Sequence, residues 1–365
     1  MSSDSSDVKD LITKAEKCLK TSLLKRTPDY DGAIDYYSKA ALIFRNRKQL
    51  KEAAETYKKV AELHFKHGSY FHCAKNYETA SLMYRDLKDF SQMASLIAEA
   101  GLLLRRNGTP DSASYVYERA AKCLEEPLPE KAAEFYEKSA DACEIEEKFH
   151  EAASQANNAA RLWVRLKRFN DAERLLRLYI DYITRGHSDS SASVASGFSD
   201  TNAAAKLCGR AATVLVLIKL YMEDEVAANK IFNEAVQRWR FSEAEEYFAV
   251  KRLLVAVENM DKKACLLAIK DQCFRILDLD YARLAKEIKF PYPDNAEETQ
   301  NTSTNNNNVG LPMMNTGNTG WSTSAEANPT TATTTTTDKQ YKDNNQSEGV
   351  GGGDGGEQED EEDIC

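Results

Sequence analysis

An all-α chain built from antiparallel helix hairpins is what this sequence predicts, and three observations predict it. Tyr, Ala, Leu, Lys and Glu dominate up to about residue 290 while Gly and Pro are scarce, which favours long helices over strands and turns. A large, mostly aromatic residue recurs every 20 positions, and small residues flank it four places before and four after. Together these imply a tetratricopeptide-like right-handed superhelix of helix hairpins, followed by a C-terminal helical bundle.

The large position is held by Tyr37, Tyr57, Tyr77, Ile97 and Tyr117, and after a one-residue deletion near Pro127 to Pro129 by Tyr136, Ala156 and Leu176. Four residues earlier stand Ala33, Ala53, Cys73, Met93, Ala113, Ala132, Ala152 and Ala172. Four residues later stand Ala41, Ala61, Ser81, Gly101, Ala121, Ala140 and Ala160. A spacing of four puts all three on one helix stripe, so each unit is one helix of ~14 residues and a short turn. Small residues let neighbouring helices approach, and the large one fills the remaining gap. Asn107-Gly108-Thr109-Pro110-Asp111 is a turn of the expected kind, with a helix-ending Gly, a Thr cap and a Pro in the next first turn.

Residues 1–184 are thus expected to form the hairpin array, of roughly four hairpins where at least three are needed for a stable stack. The polar, Ser-rich stretch 185–202 breaks the rhythm and reads as a loop. Residues 203–292 are helical but out of register, a capping bundle. From 293 to 365, Asn, Thr, Gly and acidic residues replace the large apolar ones, so this tail is expected to stay disordered.

Charge is divided unevenly. The net charge is −10, but the tail carries 14 acidic residues against Lys339 and Lys342, leaving the body with 46 basic and 44 acidic groups. Such a body lacks the basic excess of a nucleic-acid binder, so no nucleic-acid partner is expected. The eight cysteines form no close CxxC pair and the N-terminus opens MSSDSSDVKD, so reduced thiols in a cytoplasmic protein are expected. The longest apolar run, Ala211 to Met222, is 12 residues and contains Lys219, too short to span a bilayer. Membrane association would be peripheral.

Catalysis is not expected. Only five His are present, and there is no phosphate loop, nucleophile elbow or HExxH. His64, His67 and His72 lie close in sequence but straddle a turn without further ligands at zinc spacing, so no metal or other cofactor is expected. Cys73 fills a slot held elsewhere by Ala33 and Ala53 and reads as a small buried hydrophobe.

Three segments stand out as candidate contacts. Arg161, Arg165 and Arg168 follow one another on one helix, either as a basic patch for an acidic partner or as a solvated helix face. Leu23, Leu24 and Lys25 sit in a connecting loop, suited either to shallow insertion among lipid headgroups or to packing on the first hairpin. Asp360, Glu361, Glu362 and Asp363 precede Ile364 at the chain's end, an aliphatic peg on an acidic tip.

Segments 14–46 (KAEKCLKTSLLKRTPDYDGAIDYYSKAALIFRN), 71–88, 107–126 and 129–153 together resemble the soluble NSF attachment proteins, in their gamma type. The resemblance implies an adaptor in vesicle-mediated transport and membrane fusion. Such an adaptor binds SNARE complexes, touches the cytosolic face of membranes, and recruits and stimulates the hexameric NSF ATPase for SNARE disassembly. It puts the membrane contact on Leu23, Leu24 and Lys25, and the ATPase contact on Asp360 to Ile364. The family's basic SNARE-facing positions align with Tyr115 and Asn158, leaving Arg161, Arg165, Arg168 and Lys122 as nearby candidates. The competing reading is a generic tetratricopeptide-like scaffold or co-chaperone, which would need clamp residues recurring in 34-residue units.

Overall fold

The computed structural model describes residues 3–21, 26–189 and 201–293, and the described secondary structure is helical throughout. Nine helices come first: α1 (Ser3–Leu19), α2 (Tyr30–Asn46), α3 (Leu50–Lys66), α4 (Tyr70–Asp86), α5 (Phe90–Arg106), α6 (Pro110–Leu124), α7 (Pro129–Ile145), α8 (Phe149–Arg165) and α9 (Phe169–Asp189). Each packs on the next as an antiparallel neighbour. Most are 17 residues long rather than ~14, because the connecting turns are tighter than the sequence suggests.

Those turns are one motif repeated. The residue two past the helix end has positive φ at Lys48, Gly68, Lys88, Gly108, Glu147 and Lys167. The next amide then donates back across the last turn: Gln49 to Phe44 O at 2.9 Å, Asp89 to Tyr84 O at 2.9 Å, Lys148 to Cys143 O at 3.0 Å and Arg168 to Trp163 O at 2.9 Å. This is a Schellman cap, and it ends a helix without stranding carbonyls. Helix starts are secured by Asp29 and Asp89, whose carboxylates accept from the amides of Gly32 and Gln92 at 2.9 and 3.1 Å. The one-residue deletion falls at Pro127 and Pro129, where the link closes differently, by Leu128 N–H to Leu124 O at 2.9 Å.

The repeat positions form the core. Tyr37, Tyr57, Ile97, Tyr117, Tyr136, Ala156 and Leu176 are buried, Tyr77 is partly buried, and the small residues at both flanking positions are buried as well. Alternate helices are tied by ion pairs: Lys148 to Asp111 at 2.7 Å between α8 and α6, Arg174 to Glu137 at 2.6 Å and Arg185 to Glu144 at 2.7 Å between α9 and α7.

The structure moves two expected boundaries. Helix α9 runs on to Asp189, past the break expected at residue 184, because Thr184 returns its hydroxyl to Ile180 O at 2.7 Å instead of ending the helix. Residues 190–200 lie outside the described part. After them α10 (Thr201–Tyr221) packs on α9, and α11 (Glu225–Arg238) packs on α10 through the same turn, with positive φ at Glu223 and Asp224 N–H to Lys219 O at 2.9 Å. The hairpin stack therefore continues through residue 238. Sequence periodicity misses it because α10 is buried nearly all round, with Val214, Leu215, Val216, Leu217 and Ile218 inaccessible, and shows no small/aromatic stripe.

A 3-10 turn (Phe241–Glu243) leads to α12 (Tyr247–Glu258), α13 (Lys262–Ala268), α14 (Gln272–Arg275) and α15 (Leu279–Glu287). Helix α15 folds back against α8 and α10.

Candidate interaction surfaces

The basic helix face read from the sequence is built from α8, and the structure turns most of it inward. Arg165 donates from Nε and Nη2 to the two carboxylate oxygens of Asp280 at 3.0 and 3.1 Å, and the Asp280 side chain is 1% exposed. Arg161 reaches the same carboxylate at 3.3 Å and spends its other nitrogen on both oxygens of Glu125 at 2.9 Å. Tyr136 donates to Glu125 as well, at 2.7 Å. Neighbouring contacts from Tyr281 to Asn157 at 3.0 Å and from Lys167 to Glu287 at 3.3 Å complete the seam. Arg161 and Arg165 thus join α15 to α8, and the acidic partner inferred for them is Asp280 of this same chain. A surface of such charges is expected to bind other molecules, but bidentate pairing to a buried carboxylate commits them internally.

Arg168 and Lys122 remain on the outside. Arg168 stacks over the Trp163 ring at 4.6 Å and bridges Glu130 at 3.0 Å and Asp171 at 2.9 Å, while Lys122 pairs with Glu118 at 2.9 Å. On the same face of α6 as Lys122 lies Tyr115, 58% exposed, with Arg119 over its ring at 5.5 Å. Arg119 is held in turn by Glu78 of α4. Asn158 of α8 is half-buried. The exposed pairs of Arg168 and Lys122 contribute little stability and can exchange partners cheaply, whereas Arg119 is anchored by the buried Glu78 carboxylate and presents Tyr115 outward.

Leu23, Leu24 and Lys25 lie outside the described residues, as do Asp360 to Ile364. The flanks of the first segment are described: Asp29 N–H bonds Cys18 O at 3.0 Å, closing the connection between α1 and α2 at one edge of the array. Beside that edge the α3–α4 turn gathers side chains that the sequence reading left unassigned, except as an unsatisfactory metal site. His64 and His72 face each other with ring centroids 5.4 Å apart, His67 Nδ1 meets Asp31 at 3.1 Å, and Phe65 and Tyr70 pack edge to face at 5.4 Å. Among the described residues no three His, Cys, Asp or Glu side chains converge as a metal shell. The missed signal was the run of Phe65, Tyr70 and Phe71 across a turn whose positions 65–72 are all exposed or only partly buried, so that the rings pack on one another and on His72 and not on the core.

At the C-terminal end a groove of about 630 Å³ opens between α12 and α13, lined among others by Arg252, Val255, Leu267 and Asp271. Phe248 is 70% and Leu267 75% exposed nearby. No described helix is long and apolar enough to cross a membrane.

Hairpins stacked by a repeated turn, with ion-paired strips outside and no convergent catalytic cluster in the described part, define a helical-repeat scaffold of the tetratricopeptide-like class. The family model for soluble NSF attachment protein, SNAP, matches residues 6–182. The chain is 26% identical over 288 residues to the gamma-soluble NSF attachment protein of Arabidopsis thaliana, covering 78% of this chain and 92% of that one. It is 23% identical over 279 residues to the protein of that name from Dictyostelium discoideum, covering 76% and 81%. Over residues 6–182 this chain is therefore similar to the soluble NSF attachment proteins, and the two relatives carry that similarity across more than three quarters of its length.

Proposed function

We propose that the chain is a non-enzymatic adaptor that holds an assembled SNARE bundle and presents it to the NSF ATPase for disassembly. The observation that carries this reading is the outward strip of Tyr115, Arg119 and Lys122 on a hairpin stack similar to this family. An aromatic followed by two cations along one helix face suits a helical bundle that displays carboxylates beside apolar grooves. Arg168 is a further outward cation, whereas Arg161 ties α8 to the end of α6 through Glu125 and Arg165 holds Asp280 from within. Leu23, Leu24 and Lys25 supply a peripheral contact with the cytosolic face of a membrane, in keeping with the family. Asp360 to Ile364, together with the apolar surface around Phe248 and Leu267, serve the ATPase.

The test is co-sedimentation of the purified chain with assembled SNARE bundle and NSF, with and without ATP. The expected result is a ternary complex that ATP dissolves. Deleting Glu357 to Cys365 is expected to weaken ATPase stimulation while SNARE binding persists. Recovery of chaperones and no SNAREs would replace the adaptor reading with the co-chaperone one.

A further inference from the structure

Exposed aromatic rings are unusual at helix ends, because each ring left in water forgoes the stabilisation of burial. At the α3–α4 turn three of them occur within seven residues: Phe65 is 51%, Tyr70 39% and Phe71 43% exposed. They are not loose. Phe65 is braced against Tyr70, and Phe71 against His72 at 5.7 Å, with Lys75 over the Phe71 ring at 5.9 Å. The Schellman turn at Gly68, with Ser69 N–H to His64 O at 2.8 Å, fixes the backbone that carries them.

The charge around the rings is positive. Lys66 is exposed on the same turn, and Arg105 and Arg106 are exposed at the end of α5, whose C-terminus lies at the same edge because α5 runs antiparallel to α4. None of the three makes an ion pair within 4 Å among the described residues. The acidic groups nearby are Asp31, which His67 already engages, Glu62 one turn deeper in α3, Glu99 of α5 beside Cys73, and Asp141 of α7, which Arg105 faces, so Lys66 and Arg106 are the cations least offset. This same edge carries the α1–α2 connection, since Tyr30 stacks on His67 with centroids 6.1 Å apart.

We propose that the α3–α4 turn is a second lipid-contacting element, in which Phe65, Tyr70 and Phe71 enter the headgroup layer of an anionic membrane while Lys66, Arg105 and Arg106 pair with its phosphates. It builds on the membrane contact proposed above. Aromatic rings prefer the boundary between headgroups and acyl chains, where an apolar body and a polar rim are both served. Cations held near an anionic surface each strengthen attachment, and a single short apolar loop gives only weak, reversible attachment. A second membrane contact in the same chain binds more tightly than one alone, because the first holds the second at high effective concentration.

The experiment is flotation of the full-length chain with protein-free vesicles, purely zwitterionic or containing phosphatidylserine. Wild type is expected to bind the anionic vesicles, and more weakly as salt rises. The Phe65→Ser/Phe71→Ser variant is expected to bind about tenfold more weakly, and Arg105→Ser/Arg106→Ser to lose much of the salt-sensitive part. Because a double Ser variant can perturb the fold, Phe71→Trp supplies a second readout, with a blue-shifted emission on anionic vesicles that wild type lacks. Unchanged binding by a well-folded Phe65→Ser/Phe71→Ser protein, or an unshifted Phe71→Trp emission, overturns the proposal. Leu23→Ser/Leu24→Ser tests the family loop separately, and SNARE co-sedimentation without lipid tests the adaptor reading, so each can fail alone.

Discussion

Arg165 grips Asp280 with two parallel hydrogen bonds across 115 residues of chain, and the carboxylate it grips is sealed from solvent. The consequences of removing either side are unequal. Replacing Arg161 and Arg165 together by Ala leaves a buried carboxylate with only Arg283, 3.8 Å away, and is expected to cost about 3 kcal/mol. Asp280→Ala leaves two arginines that keep Glu125, Glu126 and solvent, and is expected to cost about 1 to 2 kcal/mol. Urea unfolding of the three proteins checks the order, and a costlier Asp280→Ala would refute the reading.

That clamp also shows what sequence can and cannot disclose. Tyr37, Tyr57 and Tyr117 announce the hairpin core because their helical neighbours lie four residues away, and burial follows from the stripe. Arg161 and Arg165 look like free surface because their partner is far along the chain in a helix with no periodic relation to α8. The continuation of the stack into α10 and α11 is hidden for another reason: a helix buried on every side loses the polar face that marks a period. Phe65 and Phe71 were hidden because a turn carrying aromatics has no local rule that says whether they are covered.

The repeated turn makes its own prediction. Lys48 and Lys88 occupy left-handed backbone conformations, φ +57 and +58, that Gly68 and Gly108 adopt without a side-chain penalty. Lys48→Gly and Lys88→Gly are each expected to raise stability, by up to about 1 kcal/mol once the greater freedom of the unfolded chain is subtracted. Gly68→Ala and Gly108→Ala, where an added Cβ meets nothing but backbone strain, are expected to lower it by about 1 kcal/mol. Thermal melts that fail to separate the two pairs by sign would show that the turns tolerate either residue.

His64 links stability to pH. Its burial holds the imidazole pKa below the ordinary range, and the neighbouring His72 and His67 push the same way while Asp31 opposes them. The unfolded chain therefore takes up a proton at this site at a higher pH than the folded chain does. Stability is full above about pH 6.5 and falls as pH drops through the window below it, until the folded state is protonated as well. His64→Gln is expected to flatten that part of the profile, measured as unfolding midpoints between neutral and mildly acid pH. An unchanged slope would mean that His64 is solvated in both states.

Gly101 stands where α5 meets α6, and a Cβ added there would fall within the ring of Tyr117. Tyr117 is itself buried, stacked on Phe135 with centroids 5.6 Å apart, and burial pushes its phenol up to about 12. The ring therefore has no cheap way out, since turning it means unpacking Phe135 as well. Gly101→Ala is expected to cost about 1 to 3 kcal/mol by overpacking. Tyr117→Leu alone is expected to cost a comparable amount by leaving a cavity. In the double variant the new methyl occupies part of that space, so the combined loss should be clearly smaller than the sum, which a double-mutant cycle in urea measures directly. Strict additivity would mean that the two helices simply move apart at this point, and that the small residue four places after the large one does not set their spacing.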